Sequence, residues 1–508
     1  MSKPSHRLIL IGLDGATFDV IVPFIKKGYL PTFRRIIEEG SHGVLNSTMP
    51  FNTLPAWNSI FTGVNPGKHG ITDFVIRKNG LLAVPSTRDR MVDSIWGILS
   101  RNGVKLIVVN EPVTYPPEPI NGIMISGFLV PSGARDYAYP SGILDEVEKH
   151  CGKYLPELET GFEQMIIKDP KKGARLMDDF AKSTFEASSY LAKNYEWDLL
   201  ATIFTSTDRL QHFYFHDEPT ILHHYELIDG MISKLTSLDE QANVMVVSDH
   251  GFGILKKSFY VNSWLEGEGL VQRKSNTLSG VAAKYKLSYP RVKRYLEKMK
   301  LYNLVARIVP SNIKQSLPES DIVAGIVDYS RSSAFCAGTG SGIFVADNAL
   351  NSQAELVSKL RKFRPAGEYP LQEVHSQEGL IWGDYASRAP DILVTPSRGY
   401  EISSHLEGKV IAKPEEFGDS RTGTHRPEGI FVAVGPSVRR EAISRLINTW
   451  DITPTILRCL GIPAFTYMDG KPVAEIFEGN TASAEHSNVQ ISYREELRQR
   501  IREFQNKK

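Results

Sequence analysis

The sequence predicts an α/β protein, a three-layer α/β/α sandwich in which helices cover both faces of a mainly parallel sheet. One observation is that apolar runs of strand length recur along the chain, each ending in small or polar residues. The runs are continuous rather than alternating, which is typical of strands buried on both faces. The clearest runs are RLILIGLDG (7–15), VKLIVVNEP (104–112), DLLATIFTSTD (198–208), NVMVVSDHG (243–251), DILVTPSRG (391–399) and GIFVAVGP (429–436).

A second observation is that segments with helical periodicity separate several of these runs. FDVIVPFIKKGYLPTFRRIIEEG (18–40) and HHYELIDGMISKLTSL (223–238) carry apolar residues at spacings of three and four, as expected for helices with one buried face. Alternation of strands and helices favours a parallel sheet with helices on both sides. With 41% hydrophobic and 23% charged residues, the chain also has ample material for a core.

The length of 508 residues allows insertions in such a domain. The stretch 270–335 interrupts the alternation and is rich in Lys, Arg and Tyr but poor in acidic residues. It predicts a basic helical cap, inserted into a core formed by 1–269 and 336–480. The cap is interpreted either as a solvated helical face or as a basic cover for an anionic substrate or lipid surface. The C-terminal segment 481–508 predicts a charged helix at the periphery.

The formal net charge of +1 provides no argument for binding to nucleic acid or to a membrane. The three cysteines, Cys151, Cys336 and Cys459, are far apart and form no CxxC motif, which suits a reducing compartment. The N-terminal apolar run LILIGL is too short for a secretory signal, and no apolar run reaches the ~20 residues of a transmembrane helix. We therefore expect a cytoplasmic protein without a transmembrane segment, and composition leaves its oligomeric state open.

Acidic residues close three of the strand-like runs. Asp14 ends LILIGLDG, Asp208 ends ATIFTSTD, and Asp249 and His250 end VMVVSDHG. Because ligands of open parallel sheets bind outside the carboxyl ends of the strands, these side chains are expected at one rim of the sheet. His425, in GTHRPEGIFVAVGP, precedes a further strand and is a candidate for the same rim.

The pair Asp208 and His212 lies four residues apart in TSTDRLQHF. On a helix this spacing places both side chains on one face, one turn apart. The pair is interpreted either as a buried hydrogen-bonded contact that supports packing or as two ligands of one metal ion.

A hydroxyl group, that of Thr53, precedes a predicted helix start in NTLPAWNSIFTG. Pro55 suits the first turn of a helix. Free backbone N–H groups at a helix N-terminus attract phosphate, so Thr53 is a candidate phosphate contact. Considered alone, it is better explained as a helix N-cap.

Taken together, these segments resemble the alkaline phosphatase superfamily, specifically its nucleotide pyrophosphatase/phosphodiesterase-like branch. The resemblance runs in the family's order from about residue 7 to 436, and INTWDITPTILRCLGIP (447–463) extends it. The segments that carry it are GLDGATF, NTLPAWNSIFTGVNPGKHGI, TSTDRLQHF, VVSDHGF, RAPDILV and GTHRPEGIFVAVGP.

The resemblance implies two divalent metal ions, zinc or alternatively manganese, whose seven protein ligands should meet in one pocket. It implies that Thr53 is also the nucleophile and forms a phospho-threonine intermediate. One ion would be held by Asp208, His212 and His425, and the other by Asp14, Thr53, Asp249 and His250.

The activity implied is hydrolysis of a phosphodiester or nucleotide pyrophosphate, with a small-molecule phosphate ester or nucleotide as substrate and no nucleic-acid partner. A phosphomonoesterase or phosphomutase of the same superfamily is the alternative, and a non-catalytic protein that binds metal and a phosphate ligand is a rival of another class. Sulfatase activity is excluded, since Thr53 cannot yield formylglycine and Trp57 occupies the arginine position of that motif. Phosphodiesterase relatives carry an Asn near the position that Phe74 occupies in this chain. Asn58 or Lys68 is therefore considered as a substitute for that Asn.

Overall fold

The computed structural model describes residues 7–78, 80–158, 162–274, 326–340, 342–346 and 353–477. Most of the predicted cap, 275–325, and the predicted C-terminal helix, 481–508, lie outside these residues.

The described residues form the following strands and α-helices. The strands are β1 (Leu8–Leu13), β2 (Ser41–Asn46), β3 (Ile76–Lys78), β4 (Leu81–Ala83), β5 (Leu106–Glu111), β6 (Gly122–Ser126), β7 (Ala138–Tyr139), β8 (Leu199–Phe204), β9 (Asn243–Val247), β10 (Gly251–Ile254), β11 (Lys257–Tyr260), β12 (Ala334–Cys336), β13 (Gly342–Val345), β14 (Leu371–Ser376), β15 (Ile392–Pro396), β16 (Tyr400–Ser403), β17 (Ile411–Ala412), β18 (Gly423–Arg426), β19 (Glu428–Val434), β20 (Glu441–Ala442) and β21 (Ile447–Asn448). The helices are α1 (Phe18–Lys26), α2 (Pro31–Glu39), α3 (Thr53–Ile60), α4 (Pro66–His69), α5 (Ile95–Arg101), α6 (Ile143–Cys151), α7 (Phe162–Lys168), α8 (Pro170–Asn194), α9 (Ser206–Tyr214), α10 (Glu218–Thr236), α11 (Val261–Gly267), α12 (Gln353–Lys362) and α13 (Ile452–Cys459).

A large sheet forms the centre of the described part of the chain, in the order β20-β2-β19-β9-β1-β8-β5-β6-β7, with β21 also paired to β2. β1 runs parallel to both β8 and β9, and β5 runs parallel to both β6 and β8. β19 is antiparallel to its neighbours β9 and β2. The prediction of a mainly parallel α/β sheet is therefore confirmed.

The central strand β1 shows why the apolar runs are continuous. Ile9, Ile11 and Leu13 face one core, which is completed by α1, α2, α6, α8 and α10. Leu8 and Leu10 face a second core on the other side, completed by α3, α5 and α13. Because helices cover both faces, every residue of the strand is buried, and alternation with polar residues would place polar groups in a core.

A smaller antiparallel sheet, in the order β12-β13-β15-β14, packs with α11 and α12 around a core of its own. The run DILVTPSRG, predicted among the strands of the main sheet, instead forms β15 of this sheet. Both environments bury the whole strand, so its apolar character could not distinguish them. Val271 and Val327, at the two ends of the undescribed stretch 275–325, belong to the same small core.

Among the described residues, no helix combines the length and the apolar character that a membrane span requires.

Candidate active site

Three adjacent strands of the central sheet bring the predicted acidic residues together. In the order β9-β1-β8, Asp14 directly follows β1, Asp249 lies two residues after β9, and Asp208 occupies the first turn of α9, which follows β8. The backbone N–H of Gly15 donates to Asp249 Oδ1 at 3.1 Å. The parallel strands thus deliver these carboxylates to their common carboxyl edge, as the sheet topology requires.

The Asp208–His212 pair lies beside a third predicted residue. His212 Nε2 is 3.5 Å from Asp208 Oδ1, one helical turn earlier. His425 reaches the same place from β18, with its Nε2 3.0 Å from Asp208 Oδ1 and 3.0 Å from His212 Nε2. Strand β18 is held in position by antiparallel pairing with β10, where His425 opposes Phe252.

His250 lies between the two groups of acidic side chains. Its Nε2 atom is 3.5 Å from Asp14 Oδ1, 3.3 Å from Asp249 Oδ2 and 4.0 Å from Asp208 Oδ1. Its ring also stacks on that of His425, with centroids 3.9 Å apart. The described residues therefore contain two clusters of potential metal ligands that share His250: Asp208, His250 and His425, and Asp14, Asp249 and His250.

The Thr53 hydroxyl lies at the edge of these clusters. Thr53 is the first residue of α3 and is buried. Its Oγ1 atom is 3.5 Å from Asp14 Oδ1 and 3.4 Å from His250 Nε2. One turn along the helix, Trp57 Nε1 donates to Asp14 Oδ2 at 3.3 Å, which orients that carboxylate.

All the residues predicted as ligands thus occupy one pocket. Asp14 and His425, which are far apart in sequence, both lie against His250. Their assignment to individual metal ions stays a prediction. The residues that meet are Asp14, Thr53, Asp208, His212, Asp249, His250 and His425.

Burial and mutual repulsion disfavour the ionised forms of two carboxyl groups in the pocket. Burial, reinforced by Asp208, raises the pKa of Asp14 well above its usual range, and burial together with Asp14 does the same for Asp249. Burial also opposes ionisation of Asp208, but His212 and His425 outweigh it and lower the pKa of that carboxyl. Carboxylates this close repel one another unless cations or protons are shared between them.

The imidazole rings present unshared electron pairs to these carboxylates. His250 Nδ1 donates to Gly251 O at 3.1 Å, and His212 Nδ1 donates to Gly423 O at 3.2 Å, which leaves each Nε2 atom as the potential ligand. Burial lowers the pKa of His212 to about 4, and burial lowers that of His250 well below its usual value. Both rings are therefore neutral near pH 7, the form that binds metal.

Two buried carboxylate oxygen atoms also indicate a site suited to cations. Within the described residues, no hydrogen bond reaches Asp208 Oδ1 or Asp249 Oδ2. Buried carboxylate oxygens are normally satisfied, because an unpaired buried amide or hydroxyl already costs on the order of 2–7 kcal/mol and an ionised carboxylate costs more. Imidazole nitrogen and carboxylate oxygen are donors suited to zinc or manganese, so the residues present fit divalent cations.

Both side chains considered as substitutes for the relatives' asparagine are held by other partners within the protein. Asn58 is buried and donates from Nδ2 to Leu54 O within α3 at 2.8 Å. Lys68 Nζ lies 2.6 Å from Asp469 Oδ1 and donates to Tyr467 O. Phe74 instead packs against Phe128, with ring centroids 5.7 Å apart.

The sequence analysis missed two polar networks that border the pocket. Asp73 is buried beside Asn52, the residue before Thr53, and both contact Thr339. A second network supports the start of α9, where Ser206 Oγ lies 3.0 Å from His224 Nε2, and His224 Nδ1 lies 2.8 Å from Asp178 Oδ1. No motif marked either network, since their members come from segments that touch only after folding.

Burial of Asp73 leads to a testable dependence of stability on pH. Burial raises the pKa of this carboxyl from 3.8 to about 6, so the folded state binds its proton more tightly than the unfolded state. Stability from this group is therefore greatest below pH 3.8 and is lost as the pH rises through about 6. The loss is about 3 kcal/mol over that range.

We expect Asp73→Asn to remove this loss while keeping an oxygen acceptor at the same place. Its melting temperature should exceed that of the wild type at pH 7, by a larger margin than at pH 4, in scanning fluorimetry. Asp178→Asn is the matched control with the opposite sign, because contacts with His224 and His223 outweigh burial and lower the pKa of Asp178. Equal margins for Asp73→Asn at both pH values would show that Asp73 does not titrate in this range.

Solved structures of similar fold cover nearly the whole chain. Phosphonoacetate hydrolase from Sinorhizobium meliloti 1021, in complex with phosphonoformate, aligns with a TM-score of 0.59 at 17% identity, over 91% of this chain and 99% of its own. Human ectonucleotide pyrophosphatase / phosphodiesterase 5 aligns with a TM-score of 0.53 at 14% identity, over 93% and 100%. This chain therefore shares its fold with these two structures.

The family of this chain is identified by comparing its sequence with family models. The family model described as type I phosphodiesterase / nucleotide pyrophosphatase matches residues 8–426. This chain belongs to that family and is a hydrolase of phosphoesters. A comparison with curated proteins gives no match.

Proposed function

We propose that this protein is a two-metal phosphodiesterase that cleaves a phosphodiester or a nucleotide pyrophosphate through a phospho-threonine intermediate. The observation that carries the proposal is the position of Thr53 Oγ1, 3.5 Å from Asp14 and 3.4 Å from His250. The hydroxyl thus lies beside a carboxylate–imidazole pocket in which two buried oxygen atoms have no hydrogen-bond donor among the described residues. The substrate class is a small-molecule phosphate ester or nucleotide.

Two groups of side chains would hold the ions, which we propose to be zinc, with manganese as the alternative. When bound, such cations supply Lewis acidity that lowers the pKa of a coordinated oxygen and neutralises charge on the phosphoryl group. His250 Nε2 lies near carboxylates of both groups. The first group is Asp208, His212 and His425, and the second is Asp14, Thr53, Asp249 and His250.

The chain's own part in the reaction is to present the nucleophile. Thr53 Oγ1, after loss of its proton, forms a bond to phosphorus while the bond between phosphorus and the leaving oxygen breaks. The alcohol or phosphate that leaves takes up a proton. Water then cleaves the phospho-threonine, so that the net reaction consumes one water molecule. Burial of the pocket excludes competing water before the ester is bound.

Preference for a diester is supported by the aromatic residues beside the nucleophile. Phe74 and Phe128 pack together and against the cluster that contains Leu54, the residue after Thr53. The guanidinium of Arg209 lies over the ring of Phe128, 4.7 Å from its centroid. A diester brings a second organic group, which an apolar wall accommodates better than a charged phosphate oxygen.

Phosphomonoesterase activity is the second candidate, because Phe74 replaces the amide that relatives place at this position. We expect turnover of bis-p-nitrophenyl phosphate to exceed that of p-nitrophenyl phosphate by about tenfold or more in kcat/KM, each measured with zinc and with manganese. Phe74→Asn should lower this ratio, since it removes half of the aromatic pair that supports the preference for a diester. A preference for the monoester in the wild type would overturn the diesterase proposal.

A cytoplasmic location is retained as part of the proposal. It is supported by the three cysteines, all of which are free, as is usual in a reducing compartment.

A further inference from the structure

The residue before the proposed nucleophile makes unusual use of its side chain. Asn52 is the N-cap of α3, with extended backbone angles of φ −120° and ψ 155°. Asparagine commonly caps helices by accepting a hydrogen bond from the first free N–H groups, but Asn52 makes no such bond. Its Nδ2 atom instead donates to Asp73 Oδ1 at 3.1 Å and to Thr339 Oγ1 at 2.5 Å.

Asp73 is the centre of this cluster. Its Oδ1 atom accepts hydrogen bonds from Asn52, from Thr339 Oγ1 at 3.0 Å and from the backbone N–H of Phe74 at 2.7 Å. Thr339 comes from the turn between β12 and β13 of the small sheet. Three segments distant in sequence thus meet where the chain enters α3, and we name Asn52, Asp73 and Thr339 the Asn52 clamp.

Stability alone does not explain a carboxyl group here. Asp73 is 1% exposed, and burial raises its pKa to about 6, so its ionised form is disfavoured. Its Oδ2 atom has no hydrogen-bond partner among the described residues. A buried polar group without a partner destabilises a fold. Its presence here therefore indicates a requirement other than stability.

The need to fix the direction of the Thr53 side chain is such a requirement. The contacts of Thr53 Oγ1 with Asp14 and His250 are long, at 3.5 and 3.4 Å, and do not fix its direction. A β-branched side chain has few χ1 rotamers, so its direction follows from the main chain that carries it. Small displacements of a reacting atom lower the rate of the chemical step steeply.

We propose that Asp73 and Thr339 are positioning residues, which hold the Asn52 side chain and thereby fix the main chain that presents Thr53 Oγ1. This inference rests on the proposed function of Thr53. It assigns a role in the reaction to the small sheet, through its turn between β12 and β13. The clamp acts on the chemical step and leaves binding of the substrate largely unchanged.

The test compares substitutions that break the clamp with ones that preserve it. With bis-p-nitrophenyl phosphate, Thr339→Val and Asp73→Ala should each lower kcat by about tenfold or more, while KM changes by less than about threefold. Thr339→Ser and Asp73→Asn retain the hydroxyl and the oxygen acceptor, so both should keep kcat near the wild-type value. Thr395→Val, at a buried threonine of β15 in the same sheet, is the control for loss of a hydroxyl.

A double-mutant cycle separates positioning from general loss of structure. Thr53→Ser keeps a nucleophilic hydroxyl but loses the methyl group that restricts χ1. If the clamp acts through the direction of Thr53, the effects of Thr339→Val and Thr53→Ser on kcat should be non-additive by about threefold or more. Metal content and circular dichroism, measured on every variant, identify any that are misfolded.

The outcomes distinguish this inference from the function on which it rests. If Thr53→Ala is inactive but Thr339→Val and Asp73→Ala both retain wild-type kcat, the clamp is overturned and the nucleophile assignment stands. If Thr53→Ala retains wild-type turnover, the nucleophile assignment and the clamp fail together. Equal losses in Thr339→Val and Thr339→Ser would also overturn the clamp.

Discussion

Thr53→Ala is expected to lower kcat for bis-p-nitrophenyl phosphate by about a thousandfold or more. The substitution removes the only atom proposed to form a bond to phosphorus, while the buried acidic and imidazole groups of the pocket remain. The variant should therefore still bind metal, as measured by mass spectrometry of dialysed protein, and should have a circular dichroism spectrum like that of the wild type. Activity would be followed by release of p-nitrophenol.

A matched control lies two residues after the end of the same helix. Thr62 is buried, and its Oγ1 donates to Asn58 O at 2.5 Å, so Thr62→Ala removes a threonine hydroxyl that has only a structural partner. Its kcat should stay within about threefold of the wild type. Acid quenching of the wild type during turnover, followed by peptide mass spectrometry, should locate a phosphoryl group on Thr53. Wild-type turnover in Thr53→Ala would disprove the covalent mechanism.

His250→Ala is expected to reduce binding at both proposed metal positions, whereas His212→Ala should affect one. The reason is geometric: His250 Nε2 lies within 3.5 Å of Asp14 and 4.0 Å of Asp208, while His212 contacts Asp208 and His425. After dialysis against a weak chelator, we expect about two ions per chain in the wild type, about one in His212→Ala and fewer in His250→Ala. Turnover should fall by about a hundredfold or more in His250→Ala.

His375→Ala provides the control for loss of an imidazole. His375 pairs with Glu373 at 3.2 Å on the small sheet and is outside the pocket. Its metal content and turnover should match those of the wild type. Treatment of the wild type with a strong chelator should abolish turnover, and added zinc or manganese should restore it. A His250→Ala protein that retains two ions would contradict the assignment of His250 as a ligand.

Much of the fold was predictable from the order of apolar and helical segments. The strands that begin at Leu8, Leu199 and Asn243 are parallel and buried on both faces, as their continuous apolar character and the alternation with helices indicated. The segment that forms β15 was assigned to the main sheet incorrectly, because burial on both faces occurs in either sheet. Composition cannot specify which strands become neighbours, since pairing depends on contacts between distant segments.

The candidate site, like the fold, was predictable from the sequence only in part. The residue types and their positions at strand ends were sufficient to name Asp14, Asp208 and Asp249 as rim residues, because a parallel sheet brings its carboxyl ends together wherever they lie in the chain. The position of His250 between both clusters depended on the tertiary structure, as did the Asn52 clamp. These features arise from side chains a few Å apart on elements up to hundreds of residues distant, and spacing along one segment carries no information about such distances.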